Sequence, residues 1–77
     1  MIKFSYENEV IEINSEKVSG TPVFAGTRVP IKNLFDYLEG GESLEDFLEG
    51  FPPVSREQAV AVLEMAEKSL FEEVGKY

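Results

Sequence analysis

Six carboxylates lie between Asn33 and Gly50, at Asp36, Glu39, Glu42, Glu45, Asp46 and Glu49, with no basic residue among them. Side chains of this kind can hold a hard divalent cation or pass protons as an acid and base pair. Their spacing argues against both uses, because they punctuate two amphipathic stretches as solvated faces do and lack the loop pattern of an EF-hand. The chain has no cysteine and no histidine. That removes disulfides, thiolate metal sites, the commonest metal ligand and the commonest general base. The expectation is a protein without catalytic residues or cofactor.

A second set of residues could read nucleic acid. Arg56 and Gln58 stand at the start of a helical stretch preceded by a short turn, where a guanidinium can bond guanine and a side-chain amide can bond adenine. Lys32, with Lys17 and Arg28, could add phosphate contacts if folding gathered these cations on one side. The competing reading is that Arg56 pairs with nearby carboxylates and Gln58 caps its helix. Charge favours the latter: seven Lys/Arg against fifteen Asp/Glu give a net charge of -8, a surface that repels polyanions and attracts basic partners. A phosphate-cradling reading of "SGTPVFAG" fails because no Gly-Lys-Ser/Thr follows and no helix opens at the glycines.

The elements that would position these residues fit one domain over the 77 residues, with strand arms in 1–30 and a three-helix bundle in 31–74. No run approaches the roughly 20 apolar residues of a membrane span, and "MIKFSYENEV" lacks the apolar core of a signal peptide, so a soluble cytoplasmic protein is expected. Ile2, Phe4 and Tyr6 alternate with polar residues, and Val10, Ile11 and Ile13 follow beyond Asn8, which suits a hairpin. In "SGTPVFAGTRVPI", Val23-Phe24 and Arg28-Val29 flank Ala25-Gly26-Thr27, a tight reversal closed by Pro30. Arg28 would there either clamp to a helix carboxylate or meet a ligand, since a guanidinium makes fixed bidentate pairs that a lysine cannot.

Beyond Pro30 the apolar period becomes helical. Ile31, Leu34, Phe35 and Leu38 make a first helix stopped at Gly40-Gly41. Ser43 with Asp46 opens a second, carrying Leu44, Phe47, Leu48 and Phe51 and ending before Pro52-Pro53; Ser55 with Gln58 opens a third, with Val54 stapling onto Ala59. The third helix carries apolar residues over about half its circumference, wider than the ~100° stripe that one core needs. Val60, Phe71 and Val74, with Glu67 between, form the surplus flank, which either meets a partner or lies under the N-terminal strands. The last two helices share the plan of a helix-turn-helix.

The order Gly20-Thr21-Pro22-Val23, Gly26-Thr27-Arg28-Val29-Pro30-Ile31, Gly41-Glu42-Ser43, Phe51-Pro52 and Ser55-Arg56-Glu57 resembles the domain-of-unknown-function family four-three-three from about Ile11 to Ala66. The resemblance implies a mainly α, homeodomain-like or winged helix-turn-helix fold with a short N-terminal β portion. It also implies an antitoxin of the VapB type, encoded beside a PIN-like ribonuclease toxin that it binds and inhibits, and repressing its own operon through operator DNA. The family often has Asp-Pro ahead of its Gly-Gly, where this chain has Asn14 to Gly20, so a different turn is expected there. Within that frame Gly26, Thr27, Arg28 and Pro30 form a structural brace, and an unpaired strand edge gives a route to a homodimer. The alternative is a stand-alone transcriptional regulator in which Arg56 and Gln58 read bases.

Overall fold

Asn8 starts the fold by turning the chain on itself. Its Oδ1 accepts from the backbone N–H groups of Val10 and Ile11 at 2.7 and 2.6 Å, the local bonding that makes Asn a turn residue. In the computed structural model, which describes residues 5–74, this turn joins β1 (Ser5–Glu7) to β2 (Ile11–Asn14) with Tyr6 opposite Ile13. Ile2 and Phe4, which the alternation assigns to the first strand, lie outside the described residues. β3 (Val23–Phe24) pairs antiparallel with β2, giving a three-stranded sheet in the order β1-β2-β3.

The link from β2 to β3 is the turn that follows Asn14. Lys17 N donates to Asn14 O at 2.9 Å, and Val18, Ser19 and Gly20 then take φ of 50°, 56° and 80° in succession. This is a left-handed turn, closed by Thr21 N on Val18 O at 3.0 Å. Glycine accepts that region freely, whereas a β-branched valine is strained in it.

Val23 and Phe24 fold back on Val29 and Pro30: Phe24 N donates to Val29 O, Thr27 N to Phe24 O and Ile31 N to Pro22 O, each at 3.0 Å. Gly26, at φ 78°, supplies the positive φ that this reversal requires. The expected tight hairpin is therefore present, and it delivers the chain to α1 (Lys32–Glu39).

Each helix boundary has a local cause. α1 ends in a Schellman arrangement, with Glu42 N on Tyr37 O at 2.9 Å, Gly41 N on Leu38 O at 3.1 Å and Gly41 at φ 89°. α2 (Leu44–Gly50) opens with a complete capping box, Asp46 N on Ser43 Oγ at 3.1 Å and Ser43 N on Asp46 Oδ2 at 3.2 Å. α3 (Arg56–Val74) opens the same way, with Gln58 N on Ser55 Oγ and Ser55 N on Gln58 Oε1, both 3.1 Å.

The core gathers Phe24 from the hairpin, Leu34 from α1, Phe47 from α2, and Val54, Ala59 and Val62 from the entry to α3. Tyr37 lies edge-on to Phe47 and Phe51 at centroid distances of 5.6 Å each, and Phe24 and Phe47 are 5.9 Å apart. Such tilted and edge-on pairs each contribute about 0.5–1.5 kcal/mol beyond burial. The fold is thus mainly helical, three helices against a small N-terminal sheet, as the sequence predicts.

Candidate functional site

The three side chains expected to read or grip DNA are all engaged within the chain. Lys32 Nζ holds both carboxylate oxygens of Asp36, at 2.9 and 3.0 Å, one helical turn on. Arg56 pairs with Glu45, joining the first turn of α3 to the first turn of α2; this pairing lowers the Glu45 pKa and raises that of Arg56. Gln58 caps α3 with its oxygen and spends its Nε2 on Ala25 O at 3.0 Å. A groove-reading helix offers free donors to base edges and phosphates. The start of this one is bound to its own domain.

The Gly26-Thr27-Arg28-Pro30 motif braces the hairpin, but not through its arginine. Thr27 is buried; its Oγ1 donates to Phe24 O at 2.7 Å and accepts from Val29 N at 3.0 Å, so one hydroxyl fixes both sides of the turn. Gly26 N donates to Glu12 Oε1 at 3.2 Å, and the same oxygen receives Lys17 Nζ at 3.1 Å. The bond from Gly26 and then the lysine lower the Glu12 pKa below its ordinary value. Arg28 is exposed, and no ion pair to it is formed among the described residues. The short hairpin turns Thr27 inward and leaves its neighbour Arg28 at the surface. A threonine inside a tight turn was the available signal, since its hydroxyl bonds nearby backbone.

The surplus flank of α3 divides along the helix. Val60 is half-buried near the body, whereas Glu67 is exposed and Phe71 is 64% exposed. Val74 closes the helix, and its side chain lies outside those described. Leu70, which the periodicity places on the core face, is 60% exposed, and Met65, not singled out by sequence, is 43% exposed. Core contacts of α3 end at Leu63.

Between α1 and α2, three carboxylates line an open cleft of about 590 Å³, whose walls are Tyr37, Glu42, Asp46, Glu49 and Gly50. Tyr37 reaches over Gly50 so closely that a Cβ there would stand 3.2 Å from its hydroxyl oxygen. Asp46 has its pKa lowered by the Ser43 backbone N–H of the capping box. Among the described residues no three acidic side chains converge as a metal site, and no helix is long and apolar enough to cross a membrane. What this surface offers is a concave, anionic face beside a helix start already tied down.

A protein-family model described as Protein of unknown function (DUF433) matches residues 11–66. No curated protein and no solved structure matches the chain. The matched segment runs from β2 to the first exposed turn of α3, and the chain belongs to this family.

Proposed function

With family membership as the premise, we propose that the chain is a cytoplasmic, non-enzymatic antitoxin that binds and neutralises a PIN-like ribonuclease encoded beside it. The observation that carries this reading is the acidic lining of the cleft at Tyr37, formed by Glu42, Asp46 and Glu49. A ribonuclease attracts a polyphosphate substrate and therefore carries a positive field around its RNA path. An anionic surface competes for that field, hastens encounter and occupies the ground that RNA would use. Free cations at the helix starts would have favoured nucleic acid, whereas Lys32, opening α1, and Arg56, opening α3, each pair with a carboxylate.

The test is co-expression with the neighbouring gene, native mass spectrometry of the purified complex, and RNA cleavage with and without this chain. A stoichiometric complex with suppressed cleavage is expected. Full ribonuclease activity at saturating amounts of this chain would overturn the reading.

Repression of its own operon, as a homodimer on operator DNA, is the second reading, favoured by the short turn between α2 and α3. Releasing Gln58 and Arg56 from their present partners is a precondition of base contact. Operator binding that falls steeply with salt and weakens in Arg56→Ala supports this role; binding unchanged in that variant removes it.

A further inference from the structure

Two roles suit the chemistry of Arg28, a clamp to a helix carboxylate or contact with a ligand, and the clamp is not formed. Of the cations among the described residues, Lys17, Lys32 and Arg56 are in ion pairs, whereas Arg28 and Lys68 are not. Lys68 lies on the exposed distal part of α3, beyond the last core contact at Leu63. Arg28 stands instead on a loop held from several sides. Glu12 of β2 accepts from Gly26 N at 3.2 Å, Gln58 of α3 donates to Ala25 O at 3.0 Å, and Ala25 N donates to Val10 O at 2.9 Å. The buried Thr27 hydroxyl ties Phe24 O to Val29 N across the same turn. A guanidinium carried on so fixed a backbone loses little further freedom when it binds.

We propose that Arg28 docks into the cleft at Tyr37 of a second copy of this chain, and that two copies do so reciprocally about a two-fold axis. The cleft brings Glu42, Asp46 and Glu49, none of them in an ion pair among the described residues, beside the Tyr37 ring. Carboxylates pair with the planar guanidinium fork, and an aromatic face takes it by stacking. Phosphate is the other natural complement of an arginine, but a polyanion meets the field of a chain that carries -8. Two copies also repel through that field, yet beyond about 8 Å it is screened at physiological ionic strength, and each seated Arg28 sets one positive charge directly against three negative ones. The pairing does not depend on the antitoxin reading. Where both hold, a second copy and the ribonuclease compete for one cleft.

The experiment is sedimentation equilibrium of the full chain at physiological salt. It compares the wild type with Arg28→Glu, with Glu42→Arg/Glu49→Arg, and with an equimolar mixture of the two variants; Asp46 is left in place because it caps α2. All the substituted positions are exposed, so melting temperatures should be unchanged. The wild type is expected to dimerise and each variant alone to do so at least about tenfold more weakly. The mixture is expected to recover wild-type affinity, because both contacts return with their charges exchanged. Net charge alone predicts the opposite, since each reversal in the cleft adds two charges, taking -8 to -4, and that variant would then associate more tightly than the wild type. Tighter association there, a wild type that stays monomeric, a dimer that both variants leave intact, or a mixture that fails to recover would each overturn the pairing. A monomer whose binding to duplex DNA is lost in Arg28→Glu would overturn it in favour of phosphate. Inhibition of the ribonuclease is read separately and stands or falls without this result.

Discussion

The two halves of α3 share one helix and one apolar line yet meet opposite environments. From Arg56 to Leu63 the helix is capped, clasped to the hairpin by Gln58 and packed through Ala59 and Val62. From Glu64 onward, Met65, Leu70 and Phe71 face solvent. Periodicity records only that a face is apolar. What covers it depends on where the other elements reach, and among the described residues the core contacts of α3 end at Leu63.

The sharpest way to break the contrast is to remove the seat of the near half. Phe47→Ala, at a fully buried ring touching Phe24, Tyr37 and Phe51, should cost about 3–5 kcal/mol and leave little folded protein, as read by urea denaturation. Thr27→Val keeps the shape but withdraws the hydroxyl from Phe24 O and Val29 N; a loss of about 1–3 kcal/mol is expected, and an unchanged melting temperature would show that the hairpin braces itself without it.

Acid should act on the body before the distal helix. The folded-state Glu12 pKa is depressed below the ordinary 4.5, so its contribution is complete above that pH and is lost as pH falls through the lower folded value. Glu12→Gln should therefore flatten the acid limb of the stability profile; an identical limb would assign it to other carboxylates. The smallest effect belongs to the far half: Phe71→Ala should shift unfolding by no more than about 0.5 kcal/mol, because the ring is 64% exposed. A larger loss would mean that the ring packs in the domain's own core and would abolish the contrast.

Most of the fold was legible in the sequence where its causes are local. Ser43 with Asp46 and Ser55 with Gln58 declare helix starts, because capping joins residues three apart, and Gly40-Gly41 declares a stop. The functional face was less legible. Arg28 looked like a clamp because its chemistry suits one, but whether a carboxylate stands in reach is decided by how the hairpin meets the helices. The cap that Gln58 makes was legible from Ser55 three residues before it, but its clasp on the hairpin needs Ala25, far away in sequence. The left-handed run at Val18 to Gly20 had only the glycine as a sign, since valine there goes against its own preference.

That clasp also bears on how the domain opens and closes. Gln58 Nε2 and Ala25 O are 33 residues apart, so their bond closes a loop containing both α1 and α2. Loop entropy makes such a contact a late reward in folding. Because the same amide caps α3, loosening the first turn of that helix also releases the hairpin, and a local breath becomes a step toward global unfolding. Amide exchange at the start of α3 and in the turn at Gly26 should accordingly rise and fall together.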